Sequence, residues 1–439
     1  TAGPFPPATI EYLERKVSQG LLSVEYRVTP PSDWPEIEAI VPVLDNPAGL
    51  ARCLAALARL EVPPGKLCVT VVDDGSAVPA REAVGAEVPA ALALRWIRLA
   101  SNSGPAGARN AALRTPWPGS RAPAPLCAFV DSDCVPTPGW LAELAGVLED
   151  PALAAAGGRV AGLRHDSWLA RYEAQCSSLN LGPRGGEAGR RGGRIAYLPT
   201  CNLLARRAAL EQVGGFRDGW RLGEDVDLCW RMDRAGLKLF YTPGGTVAHD
   251  YRRRLPAFLA RKRDYARSEA ALRAAHPERF AASVPTGLRA ALLACVAVSA
   301  LSVIWGAAGL AAVLALDAAR RAWRVRELQV PVSSRSVVLA LARGAAALAL
   351  RESRAALRGT LAAWPVPLLA WPGLLPAAAL VSVLGAWAEW MARRPQLSPL
   401  EFAAGLLLDA LAYSAGRVQN VFEAVYFDRV RTRSRGRRR

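Results

Sequence analysis

The stretch CVTVVDDG, residues 68–75, decides the fold. A β-branched apolar run passes without alternation into two aspartates and a glycine. Such a run is a strand buried on both faces, and Asp-Gly ends it in a turn. Working outward, IEAIVPV (37–43) reads as a second buried strand, and GLARCLAALARL (49–60) between the two has amphipathic helical spacing. LRWIRL (94–99) is a third strand, GPAGARNAAL (104–113) opens a helix, and LCAFVDSD (126–133) is a fourth strand. Strands alternating with helices predict an α/β fold with a mostly parallel sheet covered on both faces. Ligands on such sheets sit beyond the carboxyl ends of the strands, where Asp73, Asp74, Asp131 and Asp133 fall.

The pattern continues downstream. Residues 168–178 read as helical, GPRGGEAGRRGGR (182–194) as a basic glycine-rich linker or a lid, and IAYLPTCNLLARR (195–207) as a strand. LGEDVDLCWRMDRAG (222–236) reads as a helix, KLFYTP and TVAHD (238–250) as strands, and about 255–280 as a basic helix. This divides the chain into a Pro-rich segment 1–35 with no assignable role, an α/β domain over 36–280, and a helical region over 281–439.

With 439 residues, 51% of them apolar and 21% charged, the chain has ample material for a core and is not disordered. Lys+Arg 55 against Asp+Glu 38 gives +17, an excess that attracts something anionic. The eight cysteines form no C-x-x-C pair, which argues against a zinc finger or disulfide scaffold and for a reducing compartment. No apolar leader is visible in TAGPFPPATIEYLERK (1–16).

Beyond Pro285 the composition shifts. Residues 290–316 carry no charge and no Pro, and 359–388 no charge but four prolines. Between them lie nine Arg and three acids, with Arg343, Arg351, Arg354 and Arg358 on one helical face. Two spans would place this loop against the positive-inside rule. The expectation is therefore peripheral or half-embedded helices on an anionic membrane surface, aided by the tail RVRTRSRGRRR. An Ala-rich soluble bundle is the plain alternative.

Asp131-Ser132-Asp133 places two carboxylates on one side of an extended segment, which suits Mg²⁺ or Mn²⁺ together with substrate phosphates. Asn102-x-Gly104 before Arg109 opens a helix whose backbone donors form a natural anion site. Glu224-Asp225 opens another helix, and His249 ends an apolar strand. Each has a plain reading as well: a helix N-cap before TPGWLAEL, a helix start, a helix cap with acids in the first turn, and a satisfied histidine.

Taken in order, DDGS, N-x-G…A-R-N, DSD, VGGF before GED, and a late HD resemble the inverting family 2 glycosyltransferases with the GT-A fold, a Rossmann-like architecture, over about 37–280. PAGLARCLAALARL, SNSGPAGARNAAL, DSDCVPTPGWL, SLNLGPR, GEDVDLCWR and LLLDALAYSAG resemble, more narrowly, the mycofactocin-system glycosyltransferases. The resemblance implies transfer of glucose from UDP-glucose to a peptide-derived redox cofactor, building a β-linked oligosaccharide, in a prokaryote at the cytoplasmic membrane face. It implies donor-nucleotide contacts from Pro42, Asp73, Asp74, Asn102, Gly104, Arg109, Asp131 and Ser132. It further implies a divalent cation on Asp133 and His249, Asp225 as general base, and Glu224 at the acceptor or orienting the base.

The chemistry asks for these parts. Departure of UDP builds negative charge that a divalent ion stabilises, with Arg109, Arg261 and Arg263 as candidate phosphate partners and Arg190 and Arg191 as candidate lid contacts. A carboxylate takes the acceptor proton. No nucleic-acid module appears, so no nucleic-acid partner is expected. The loop LDNPAGLAR lacks the glycines of a nucleotidyltransferase, and no QxxRW signature of processive synthases occurs. A polyprenyl-phosphate or cell-surface glycan acceptor is the alternative reading.

Overall fold

The computed structural model describes residues 28–117, 122–280 and 395–436, with isolated positions between 309 and 393. The expectations for 1–27, for the uncharged runs 290–316 and most of 359–388, and for the Arg343–Arg358 face lie outside the described residues. Among the described residues no helix is long and apolar enough to cross a membrane.

The chain divides into two compact units, one over Ile10–Ala257 and one containing Phe258–Arg439. In the first, β1 (Ile37–Val43), α1 (Pro47–Leu57), β2 (Leu67–Asp73), α2 (Ala80–Val84), β3 (Ala93–Arg98), α3 (Gly104–Arg114) and β4 (Leu126–Phe129) follow in order, and all but the short α2, which was not expected, match the strands and helices expected from the sequence. β1 lies between β2 and β4, all parallel, with Ile37 opposite both Leu67 and Leu126. The odd positions Ile37, Ala39, Val41 and Val43 join one core with Leu50 and Leu54 of α1. The even position Ile40 joins another with Ala106, Ala108 and Ala112 of α3. The period-two side-chain pattern of a strand thus feeds two cores, one per face, which is why the run is apolar without alternation.

The rest of the unit comprises β5 (Cys134–Pro136), α4 (Trp140–Val147), β6 (Leu153–Gly157), β7 (Val160–Gly162), α5 (Trp168–Cys176), β8 (Gly186–Ala188), β9 (Leu203–Arg206), α6 (Arg207–Gln212), α7 (Glu224–Arg234), β10 (Lys238–Tyr241) and β11 (Val247–His249). The large sheet has the order β3-β2-β1-β4-β9-β6-β10-β8. Its second half is mixed: β9 runs antiparallel to β4 and β6, and β8 antiparallel to β10. The expected mostly parallel sheet is thus parallel through β3-β2-β1-β4, and its antiparallel pairings fall in this second half.

Two readings are corrected. The stretch 195–207 is strand only over Leu203–Arg206, because Asn202, fully buried in a short 3₁₀ turn, is held elsewhere. Its Nδ2 donates to the carbonyls of Arg159 and Gly245, and its Oδ1 accepts from Trp140 Nε1 at 2.7 Å. The stretch 182–194 is no plain linker. Ala188 pairs with Leu239, making this segment the edge strand of the sheet.

In the second unit, α8 (Leu255–Ala275, from Phe258 on) packs with α10 (Pro399–Gly436), and α9 (Pro277–Phe280) comes directly after α8. Tyr413 donates to Glu269 at 2.9 Å, Asn420 donates to the Ala266 carbonyl at 3.1 Å, and Lys262 meets Asp409 at 3.7 Å. A helical C-terminal unit is thus present where it is described.

Candidate active site

A small second sheet, ordered β5-β11-β7, builds the cation-type group. β11 pairs antiparallel with β5 so that His249 lies opposite Cys134, and Asp250 N–H donates to the Asp133 carbonyl at 2.9 Å. That register, invisible at a separation of more than a hundred residues, brings His249 Nε2 to 3.6 Å from Asp133 Oδ1. Cys134 Sγ lies within 4.8 Å of both. Burial pushes the Cys134 thiol far up, with help from Cys201 and the nearby aspartates, so the usable donors are one carboxylate oxygen and one imidazole nitrogen. His249 Nδ1 is buried without a hydrogen-bond partner. At 3.6 Å the pair is too long for a hydrogen bond yet leaves room for an ion drawn between them. An O,N donor pair with open positions fits Mn²⁺ or Mg²⁺. Arg252 Nη1 stands 3.7 Å from the other Asp133 oxygen. Asp250, the second residue of the HD motif, is spent on structure, bridging Arg52 and Arg164 at 3.1 Å each.

The β2 end is occupied by its own loop. Asp73 is buried and accepts from the Ser76 and Ala80 amides at 2.8 and 2.9 Å while pairing with Arg98. Burial raises its carboxyl, but the Ala80 and Ser76 hydrogen bonds and Arg98 outweigh that and hold it below its ordinary range. Asp74 accepts from the Ser103 and Gly104 amides. This corrects the reading of the α3 N-terminus as an open anion site, since the anion there is Asp74. Gly75 has φ +82°, and a Cβ on it would stand 2.9 Å from the Ser101 carbonyl carbon. Only glycine lets the two loops approach so closely. Asn102 accepts from Gly104 N–H and from Arg221 Nη1. Pro42 pairs with Val72 near the end of β1, and Ser132 receives Asn46 Nδ2 at 3.5 Å.

Arg109 is corrected as well. It is 2% exposed, with Nη1 2.9 Å from Glu224 Oε1 and Nη2 2.6 Å from Asp131 Oδ1. It is therefore committed to two carboxylates and does not stand free for a phosphate. Glu224 is buried and held by that bond, so orienting the region fits it better than meeting an acceptor. Asn110 explains the VGGF motif. Its amide donates to the Phe216 carbonyl at 2.8 Å and accepts from Phe216 N–H at 2.9 Å, fixing the turn that leads to α7.

Asp225 is not the helix cap. The N-cap of α7 is Gly223, in the left-handed region at φ +79°, and Asp225 accepts only from the adjacent Val226 amide at 2.8 Å. Burial, the negative charge of Glu224 and that of Asp131 push its carboxyl up to about 8, against the pull of Val226 N–H and Arg109. A carboxyl poised near neutrality has the property a general base needs. Asp227 points into the fold, where Arg217 and Arg231 neutralise it.

Two expected contacts, Arg190 and Arg191, do not gather here. Exposed Arg190 pairs with Glu187 of its own turn at 2.9 Å, and Arg191 is exposed beside it, both at the sheet edge. Arg261, stacked on Tyr265, and Arg263 belong to the second unit. Sequence reasoning missed Arg221, Arg252 and Cys134. Arg252 follows the HD motif in a run of three arginines, but no local signal ranks it above its neighbours.

A family model described as glycosyltransferase like family 2 matches residues 35–270. The pre-mycofactocin glycosyltransferase of Mycobacterium tuberculosis is 34% identical over 397 residues, covering 87% of this chain and 78% of that protein. An N-acetylglucosaminyltransferase of Mesorhizobium japonicum is 30% identical over 250 residues, covering 54% and 57%. Among solved structures, the Pyrobaculum calidifontis mannosyltransferase PcManGT in complex with GDP-Man and Mn²⁺ aligns with a TM-score of 0.48 at 20% identity, covering 92% of this chain and 94% of that one. With strand-end carboxylates over a mixed α/β sheet and a family match across more than half its length, this chain belongs to the family 2 glycosyltransferases.

Proposed function

We propose that this chain transfers glucose from UDP-glucose, with inversion, to a hydroxyl of the peptide-derived cofactor mycofactocin or its precursor. The observation that carries the catalytic reading is Asp225, a carboxyl raised to about 8 at a helix start beside the strand-end carboxylates. The similarity over most of the chain to a pre-mycofactocin glycosyltransferase supports the acceptor.

Asp133 and His249 would hold a divalent cation, which when bound supplies charge stabilisation for the departing diphosphate. The chain's own residues do the rest. Asp225 takes the acceptor proton as the oxygen attacks the anomeric carbon. Glu224, fixed by Arg109, holds the start of α7 in place. The loops carrying Asp73, Asp74 and Ser132 frame the uridine, and Arg98, Arg221 and Arg252 are cations placed beside them. The uncharged runs and the Arg-rich tail support a location on the cytoplasmic face of an anionic membrane.

Purified protein is incubated with UDP-glucose, Mn²⁺ and the tyrosine-derived cofactor precursor, and products are followed by mass spectrometry. One or more added hexoses, absent with Asp225→Asn, supports the proposal. Transfer to polyprenyl phosphate with none to the precursor overturns the acceptor assignment.

A further inference from the structure

Arg109 spends a buried cation inside a site whose leaving group is anionic, and its geometry says what for. It takes carboxylates from two elements distant in sequence, Asp131 after β4 and Glu224 at the start of α7. Its Nε is buried with no hydrogen-bond partner, so the two terminal nitrogens carry the connection. The Phe216 ring lies 5.5 Å from the guanidinium, and Phe216 packs edge-on to Phe129 at 5.2 Å. The guanidinium is therefore fixed from the apolar side by the same turn that Asn110 holds.

Resting on the reading of Asp225 as the base, we infer that Arg109 is a positioning residue: it clamps Asp131 to Glu224, holds the Asp225 carboxyl in place for the acceptor hydroxyl and favours its ionised form. The charged and titratable groups facing Asp225 are Glu224 on its own helix, Arg109 from α3, Asp131 from the strand end, and the buried thiols Cys201 and Cys229. Among these Arg109 is the cation. Removing it leaves carboxylates repelling one another in a poorly solvated place, which favours protonated Asp225. Removing the Glu224 charge does the reverse. Lysine at 109 would keep the charge but lose the fork that reaches both partners.

The test is the pH–rate profile for hydrolysis of whichever UDP- or GDP-hexose the parent turns over in a panel, with UDP affinity measured beside it. Arg109→Gln is expected to move the acid limb up by about 1 unit, so that the rate on that limb falls ~10-fold at fixed pH. Glu224→Gln is expected to move the limb down. Arg109→Lys is expected to leave the limb near the parent's while lowering kcat, and UDP affinity should stay within about threefold in all three. A purely structural role would lower melting temperature and active fraction without moving the limb. An unmoved limb in folded Arg109→Gln, or in Glu224→Gln should the first variant not fold, overturns the proposal. Asp225→Asn separates the two claims. If it keeps the parental rate, the base reading falls and this inference with it. If it loses the rate while the limb stays put in the other variants, only the role of Arg109 falls.

Discussion

The carboxylate of Asp74 sits on the first turn of α3, its two oxygens accepting from the amides of Ser103 at 2.7 Å and Gly104 at 2.9 Å. A helix start exposes unpaired N–H groups, and here the end of the neighbouring strand satisfies them. The bond staples the β2 loop to the α3 loop, and Arg109 lies further along the same helix.

Asp74→Ala removes both acceptors, leaving the amide of exposed Ser103 without its partner and the buried Gly104 amide with Asn102 Oδ1 alone. A loss of ~1–3 kcal/mol is expected, read as a lower urea midpoint. Asp74→Asn keeps one acceptor oxygen and should lose less. Equal stability of Asp74→Ala and the parent would show that water replaces the carboxylate.

Stability should depend on pH through Asp225. Its folded value, raised to about 8, lies above the ordinary carboxyl value near ~4. The group therefore adds full stability below about pH 4 and loses it progressively as pH rises through about 8. Asp225→Asn removes that loss. The variant should gain on the parent as pH rises from about 4 and hold its full lead above about pH 8, with a smaller gap at low pH. Thermal melts across pH check this, and a constant gap would contradict the raised carboxyl.

The Asp133–His249 pair should bind a divalent ion in the protein without donor. His249→Ala and Asp133→Ala should each weaken Mn²⁺ binding at least ~10-fold in calorimetry. Transfer should stop in EDTA and return with Mn²⁺ in the parent but not in Asp133→Ala. Full turnover in chelator would remove the ion from the scheme.

Away from the carboxyl ends of the strands, Glu38 is buried near the start of β1, with Arg95 Nη2 at 2.7 Å on one oxygen and Arg207 Nη2 at 2.6 Å on the other. Arg95 also donates to the carbonyls of Thr115 and Pro116, and Arg207 to that of Ala124. Glu38→Ala strands two guanidinium groups and should cost ~3–5 kcal/mol, while the specific activity of what remains folded changes little. Denaturant titration alongside active-site titration with UDP distinguishes this from damage at the site.

The first three strands, the helices α1 and α3 and the strand-end carboxylates are legible in the sequence because each depends on near neighbours. Uninterrupted Val, Ile and Leu identify a strand buried on both faces, and the Asp-Gly of residues 74–75 marks its end. The order of the motifs carries the family. Tertiary structure alone decides whatever depends on long-range register. The β5–β11 pairing brings His249 to Asp133 across more than a hundred residues. The fold turns Arg109 inward, because residues 109 and 224 share no local pattern that could announce their bond. It makes the glycine-rich stretch an edge strand because Leu239 and Ala188 meet. The proton affinity of a carboxyl is likewise set by burial and by charges brought from elsewhere in the chain. The GED motif therefore singles out Asp225, while only the packed fold, with Glu224, Asp131 and Arg109 around it, raises its carboxyl.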